Sequence, residues 1–473
     1  MSTRLPALML ALAGMATMTA RAESIWSDPL RTMHEVSATP AKTAYATGCS
    51  FDAQLPSPLS LLDAVERALC RNPQTRQAWA NVKAQAAAVG VSRAAYLPTL
   101  TSSGSWSKAD NRYTYPDFPD NNSSLKTHSS SANLSLNWVL YDFGLRAANL
   151  ESARQLLNAA NAAQDDMLQT IFLSTVQSFY EAQAAQAMLA ATTEAEQAAE
   201  QSFKASAAKY LAGAGALADK LQAQTAYAQA SLKRAQAAGD LQNALGSLAI
   251  VMGQLPNTPL TLAPLADVAD APLLLQAVDQ LIADAVRSHP KILAAQAQWK
   301  AAQAQADAAN ADGRPTLSLF ATGDRSDTPI TQVSSKQTIT SRSIGLQVNI
   351  PLFDGFSRKY KTRGAQAQAE SKEAELANIE QQVTLEVWKS HQALRTETEN
   401  LHSTDILLHS ARQSFDVAQG RYKAGVGTIL ELLKAQSDLA SAQQQRILSL
   451  TSWQTARLRL AASLGRLQID GIQ

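Results

Sequence analysis

The chain has 473 residues and a formal net charge of +1, and 46% of its residues are hydrophobic although only 6% are aromatic. This near-neutral balance excludes a strongly basic nucleic-acid-binding protein and an acidic disordered chain, so no nucleic-acid partner is expected. An alanine-rich composition with few aromatic residues favours long packed helices over a thick globular core.

Residues 1–22 have the pattern of a secretory signal peptide. Arg4 precedes an apolar stretch over 5–18, and Ala20-Arg21-Ala22 fits the small-residue cleavage rule, so we expect cleavage after Ala22. An uncleaved membrane anchor is the alternative, but the apolar stretch is shorter than the roughly 18 residues that a spanning helix needs. Residues 23–57 are then an N-terminal extension.

The two cysteines, Cys49 and Cys70, lie near the start of the expected mature chain. In an exported protein such a pair can form a disulfide that ties the extension to the first helix. Lipidation of Cys49 within "ATGC" (46–49) is the alternative, which the upstream cleavage site disfavours.

The remaining sequence contains an internal duplication. The phrase "KYLAGAGALADKLQAQ" (209–224) returns as "RYKAGVGTILELLKAQ" (421–436), 212 positions later. Constant offsets over so many positions predict a duplicated architecture, with a first repeat over 58–253, a linker over 254–273, a second repeat over 274–466 and a tail over 467–473. The matching pairs Pro73 and Pro290, and Pro98 and Pro315, are offset by 217 positions; the pairs Asp142 and Asp354, Tyr210 and Tyr422, and Gly253 and Gly465 are offset by 212. The five-residue change lies between the second proline and the aspartate, where a surface loop is expected.

Each repeat begins with a helical segment, 59–95 in the first copy, and continues with two predicted strands. The strands are expected at about 98–108 and 132–142, and at about 315–323 and 341–353, with polar outward loops at 109–130 and 324–338. Strict alternation of apolar and polar residues over about ten positions is typical of a membrane barrel strand. A soluble β-sandwich is the alternative, but it needs seven or more strands. The expected lipid-facing residues are Leu134, Leu136, Trp138, Leu140, Ile344, Leu346, Val348, Ile350 and Leu352.

Long helical hairpins follow the strands, over 144–253 and 355–465. Each first helix is expected to be about 100 Å long at about 1.5 Å per residue, which suits a coiled or tubular assembly. Glycines mark the points where the chain must turn back: Gly213 and Gly215 in the first repeat, and Gly425 and Gly427 in the second.

Four strands are too few to close a barrel in lipid, because open strand edges would leave backbone groups unpaired. The strands must therefore be pooled between identical subunits. The predicted fold class is mainly α, with a shared β membrane barrel that long helices continue as a tunnel.

The duplicated pattern, the strand ends "LYDFG" (140–144) and "LFDGF" (352–356), and the glycine-bearing turns resemble the TolC family of outer-membrane exit ducts over roughly 55–470. This resemblance implies a homotrimer in the outer membrane of a Gram-negative bacterium, with a twelve-stranded barrel and a twelve-helix periplasmic tunnel. It also implies docking, through the turns, to a periplasmic adaptor and an inner-membrane ABC transporter. The segment "LSLLDAVERALCRNPQTRQAWANVKAQAAAVG" (59–90) is most similar to members that serve type I protein secretion, which implies a polypeptide cargo in transit, such as the RTX-type toxin adenylate cyclase–haemolysin.

The same resemblance implies a periplasmic gate of acidic residues just after the second turn. Glu431 matches the first acidic position, but Lys434 occupies the second, which puts cation block of the pore in doubt; Asp219 in the first repeat could supply another acid. Solvent-exposed helix faces are the alternative interpretation of Glu431 and Asp219. For the glycines, the alternative is a simple turn without a partner.

No pattern in the sequence indicates an enzyme, a cofactor or a metal site. The six histidines are scattered, and His402 and His409, seven apart, have no cysteine or acidic cluster beside them. Two other functions remain open: the duct of a multidrug efflux pump, and a soluble periplasmic coiled-coil adaptor.

Overall fold

In a computed structural model of the chain, residues 28–35, 56–265, 278–330 and 335–465 are described. The expected signal peptide, most of the N-terminal extension with Cys49, the second part of the linker and the C-terminal tail lie outside these ranges. Cys70 is disulfide-bonded. Its expected partner, Cys49, is not among the described residues, so this pairing stays a prediction.

Within the described ranges, both halves of the chain follow the same order of two short helices, two strands and two long helices. The paired helices have the same lengths, 11, 22, 67 and 35 residues. None of the helices in this part of the chain is both long and apolar enough to cross a bilayer. The elements of the first half are α1 (Leu61–Arg71), α2 (Pro73–Ala94), β1 (Thr99–Tyr113), β2 (Ser123–Tyr141), α3 (Leu145–Leu211) and α4 (Leu217–Val251). Those of the second half are α5 (Val278–Ser288), α6 (Pro290–Ala311), β3 (Thr316–Ile330), β4 (Ser335–Asn349), α7 (Ser357–Lys423) and α8 (Ile429–Ser463).

The single helix expected over 59–95 is two helices, separated at Asn72. Asn72 is extended, with ψ of 130°, because the residue before a proline is disfavoured in the helical region. Pro73 then opens α2 at the first helical position, where its missing N–H costs nothing. The structure divides the second half in the same way, at His289 and Pro290.

The chain forms two compact units. The first contains residues 83–159 and 296–374, and its centre is one antiparallel sheet in the order β1-β2-β3-β4. The apolar residues of β2 and β4 lie on one face and are largely exposed; Ile344, for example, is 76% exposed. The opposite face carries hydroxyl pairs across neighbouring strands, including Thr101 with Ser135 at 2.6 Å and Thr322 with Ser343 at 2.7 Å.

The strands extend further than the sequence predicts. Much of 109–130 and 324–338, expected as loop, continues the strands, because serines pair across them, as Ser107 does with Ser129 at 2.7 Å. The other end of β4 is shorter than expected. Ile350 and Leu352 lie beyond its last residue, Asn349, because Pro351 has no N–H to donate to the ladder.

Each strand pair passes into its long helix through an aspartate. The carboxylate of Asp142 accepts hydrogen bonds from the backbone N–H of Gly144 (3.3 Å) and Arg146 (3.1 Å), and from Nε of Arg146 (2.7 Å). Asp354, its counterpart, accepts a bond of 2.9 Å from the backbone N–H of Arg358. These bonds satisfy free donors of the first helical turn.

The described residues of the second unit are 56–82, 160–265, 278–295 and 375–465. Part of its core lies where the short helices α1 and α5 pack against the long ones. In α1, Ala64 belongs to a buried cluster with Phe179 and Leu248, and Val65 belongs to a second cluster with Ile171 and Leu458. In α5, Leu281 and Ala285 pack in the same way. The four long helices are therefore held together by an apolar stripe on each short helix.

Candidate functional site

The two turns between long helices have nearly the same backbone. In the first turn, Gly213 has φ of +71°. The N–H of Gly213 donates a hydrogen bond of 3.0 Å to the carbonyl of Tyr210, and the N–H of Ala214 donates one of 2.9 Å to the carbonyl of Lys209. Gly425, at φ of +77°, repeats this pattern in the second turn. Two such bonds around a left-handed residue form a Schellman motif, which satisfies the last carbonyls of a helix.

The second glycine of each turn is needed for a different reason. A Cβ on Gly215 would lie 3.1 Å from Cβ of Lys209, and one on Gly427 would lie 3.0 Å from Cβ of Arg421. By contrast, a Cβ on Gly213 or Gly425 would meet no atom within 4 Å. The first glycine supplies a left-handed conformation, and the second allows close approach of the backbone.

A small apolar cluster joins the two turns. Tyr422 of α7, Ile429 and Leu432 of α8, and Ala223 of α4 are all buried in it. Phe203 of α3 packs against the cluster and stacks on Tyr227 with an angle of 5° between the rings. Helices of both repeats therefore meet at these turns.

The acidic residues expected at the gate occupy equivalent places. Asp219 and Glu431 both lie in the first turn of their helices, α4 and α8. The backbone N–H of Glu431 donates to the hydroxyl of Thr428, which caps α8, whereas Ala216 gives α4 no side-chain cap. A carboxylate at a helix N-terminus is stabilised by the helix dipole.

The basic residues that precede the turns break the symmetry of the duplication. Nε of Arg421 lies 3.2 Å from Oε1 of Glu431, within its own hairpin. Lys209, at the matching position, reaches the other hairpin: its Nζ lies 3.9 Å from the ring centre of Tyr422 and 3.4 Å from the Tyr422 carbonyl oxygen. Burial, and secondarily the negative charge of Asp219, raise the pKa of the Tyr422 hydroxyl.

Lys434 forms no ion pair with Glu431. Its ammonium pairs with Asp438, one turn further along α8. The partner of Glu431 is Arg421 instead. Sequence reasoning named neither Arg421 nor Lys209 nor Tyr422 as a site residue, although the 212-position offset that pairs Tyr210 with Tyr422 also pairs Lys209 with Arg421.

Comparison with known proteins decides the family. A family model described as outer membrane efflux protein matches residues 64–254 and 281–466. The chain belongs to the outer membrane efflux protein family. This efflux-family protein is 36% identical over 441 residues to protein CyaE of Bordetella pertussis, covering 91% of this chain and 90% of CyaE. It is 26% identical over 407 residues to the probable efflux pump outer membrane protein TtgC of Pseudomonas putida, covering 86% and 83% of the two chains.

The solved structure of the outer-membrane channel OprN has the same fold, with a TM-score of 0.74 and 22% identity over 90% of this chain and 95% of OprN. The predicted fold class and family are confirmed: this efflux-family protein is an outer-membrane channel with a helical tunnel and a β domain, and it is not an enzyme. The soluble-adaptor alternative is thereby set aside. Channels of this family form homotrimers and work with adaptor and inner-membrane transporter partners.

Proposed function

We propose that this protein is the outer-membrane exit duct of a type I protein secretion system, and that its cargo is an RTX-type toxin such as adenylate cyclase–haemolysin. The observation that carries the proposal is the identity to CyaE, which is higher and covers more of the chain than the identity to the efflux pump protein TtgC. The similarity of 59–90 to secretion members of the family points the same way.

The barrel would be closed by three copies. Each of the edge strands β1 and β4 pairs on one side only within the described sheet, and an unpaired strand edge is very unfavourable in hydrocarbon. Three sheets of four strands give twelve, which is enough for a channel. The exposed apolar face of β2 and β4 would face lipid, and the hydroxyl-bearing face would line the water-filled interior.

The two turns would dock the periplasmic adaptor. Each turn presents an exposed apolar residue next to its glycines: Leu211 is 82% exposed and Val426 is 72% exposed. Because Gly213, Gly215, Gly425 and Gly427 fix the shape of both turns, they would hold these side chains at a constant position. Replacing Gly425 by proline tests this, since proline cannot adopt φ of +77° or donate the bond to Tyr422. We expect trimers to assemble in the outer membrane but export to fail.

Glu431 and Asp219 would form the periplasmic gate. Support comes from their equivalent places beside the cluster that joins the turns, and from the ion pair of Glu431 with Arg421. Breaking that pair in the closed duct would loosen the second hairpin. An exposed pair of this kind contributes at most about 1 kcal/mol, which is suitable for a contact that must open during transport.

The test is secretion in a bacterial strain that lacks its own ducts of this family. The chain is expressed together with an ABC transporter, an adaptor and adenylate cyclase–haemolysin, and toxin in the medium is measured. The Gly425→Pro variant, checked for outer-membrane trimers, serves as the matched control. We expect secretion with the natural chain and none with the variant. Restored drug resistance without toxin secretion would support the alternative function, the duct of a multidrug efflux pump.

A further inference from the structure

An elongated cavity lies among the long helices of the second unit, away from the turns. Its volume is about 560 Å³, within the range of roughly 300–1,000 Å³ that is typical of small-molecule sites. All of its lining residues belong to this one compact unit, and α3, α4, α7 and α8 all contribute to it. Both repeats therefore build the cavity.

Each helix lines the cavity with a single stripe of side chains. The stripe of α3 extends from Glu181 to Met188, with positions three and four apart that share one helix face. The stripe of α8 extends from Leu448 to Arg459 in the same rhythm. At about 1.5 Å per residue these stripes are about 10 and 16 Å long, so the cavity has room for an elongated organic molecule.

The walls are mainly apolar, with a few hydroxyl groups. Ala184, Ala237 and Ala456 are buried, and the flexible side chains of Met188 and Leu448 complete the apolar surface. Hydroxyl groups come from serines and threonines of α7 and α8. An apolar lining with a few polar groups is the usual composition of a ligand site.

The charged residues at the cavity are mostly acidic and have no ion-pair partner. Within the described part of the chain, neither the carboxylates of Glu181, Asp240 and Glu397 nor the guanidinium of Arg459 belongs to an ion pair. Glu397 accepts one hydrogen bond, of 3.2 Å, from Asn400. Three carboxylates against one guanidinium leave the cavity with an excess of negative charge.

The carboxylates lie at different levels of the cavity. Nearly equal numbers of helical residues separate Asp240 from Gly213 and Glu397 from Gly425, so the two carboxylates lie at nearly the same distance from the turns. Glu181 and Arg459 both lie further from the turns along their helices, so the single guanidinium is not at the level of Asp240 and Glu397. The negative charge is thus concentrated around Asp240 and Glu397.

We propose that this cavity binds a monovalent organic cation with an apolar body, such as an arylalkylamine. Its ammonium group would lie at the level of Asp240 and Glu397, and its body would contact Met188 and Leu448. Among the described residues, no three metal-ligating side chains are close enough together to hold a metal ion, so dispersed carboxylates beside an apolar wall favour an organic cation. Such a ligand contacts both repeats and would stabilise the packing of one hairpin on the other.

Calorimetric titration of the purified, detergent-solubilised trimer tests the proposal. The probe is tryptamine, and indole-3-propionate, of similar shape but opposite charge, is the matched control ligand. We expect saturable binding of tryptamine only. Loss of one charged hydrogen bond in Glu397→Gln or Asp240→Asn should weaken binding about tenfold. Glu399→Gln, two positions along α7 and paired with Arg395 outside the cavity, should bind as the natural protein does.

A second variant keeps the test independent of electrostatics. Ala393 lines the cavity but is exposed, so Ala393→Trp should obstruct the cavity without disturbing the core and should strongly weaken binding, with trimer size checked by gel filtration. Equal affinity for both ligands, or unchanged tryptamine binding in Glu397→Gln and Ala393→Trp, would overturn the proposal. Heats that are identical in all variants would mean partitioning into detergent and would also overturn it. The outcome does not depend on the identity of the secreted cargo.

Discussion

Replacing the aspartate at each strand-to-helix junction should have unequal effects, although both aspartates hold the same place in the duplicated motif. The side chain of Asp142 is only 10% exposed and accepts three hydrogen bonds, one of them from the 13% exposed guanidinium of Arg146 at 2.7 Å. Asp354 is 36% exposed, accepts one backbone bond, and lies 3.9 Å from Nε of Arg358.

The difference can be estimated from these contacts. Loss of a helix cap costs about 1 kcal/mol, and loss of a partly buried, charge-assisted hydrogen bond adds about 2 kcal/mol. Asp142→Ala should therefore destabilise the start of α3 by about 3 kcal/mol. Asp354→Ala should cost the start of α7 about 1 kcal/mol, because its ion pair is exposed and long.

Hydrogen exchange of the amides in the first two turns of α3 and of α7, compared between each variant trimer and the natural trimer, measures both effects. A difference of about 2 kcal/mol corresponds to a roughly 30-fold difference in the opening equilibrium. Asp142→Asn, which keeps an acceptor but loses the charge, should fall between the natural protein and Asp142→Ala. Equal acceleration at both junctions, or a larger effect at Asp354, would refute the view that burial of the ion pair determines its contribution.

Three further predictions concern the second unit. Gly427→Ala should destabilise the second turn by about 1–3 kcal/mol, because its Cβ would press on Arg421 and Tyr422. Gly420→Ala, where a Cβ would meet open space on α7, should stabilise the protein by up to about 1 kcal/mol. A lower denaturant midpoint for Gly420→Ala than for Gly427→Ala would contradict this. Burial, together with the charge of Lys291, lowers the pKa of His289 to about 4 from 6.5, so stability present above pH 6.5 should be lost as the pH falls towards 4, by at most roughly 3 kcal/mol. His289→Asn should abolish that part of the pH dependence and the exposed His402→Asn should not, whereas identical midpoint shifts in all three proteins between pH 7 and pH 4.5 would count against it. Because Arg421→Ala and Glu431→Ala each break the ion pair of the proposed closed gate, both variants should raise the single-channel current in planar bilayers. An unchanged current in both would remove Glu431 from the proposed gate.

Much of the fold could be predicted because the same pattern of elements occurs in both halves of the sequence. The constant 212-position offset from Asp142 onward corresponds to long helices of identical length. The alternation of leucine with serine and asparagine in β2 is visible without a structure, because strand side chains point to opposite faces in turn. The turn glycines were also recognisable, since few residues other than glycine adopt a positive φ.

Other features could not be predicted, for physical reasons. Serines and aspartates are typical both of loops and of strand faces that contact water, so the outer halves of the strands were interpreted as loops. Pro73 can interrupt a helix or begin one, and only the structure shows the break at Asn72. The contact of Lys209 with Tyr422 joins residues 213 positions apart, and Arg421, at the matching position, makes a different contact; a pattern of local periodicity contains no information about either.

The equal lengths of the paired helices restrict how this protein can change during evolution. One inserted residue moves every later residue of a helix by about 1.5 Å along the axis and about 100° around it. An insertion in α3 alone would therefore turn Lys209 away from Tyr422 and shift the first turn out of step with the second. Natural length variants should carry compensating insertions in both halves, or have them only in the strand connections, where the change in offset between the halves already lies.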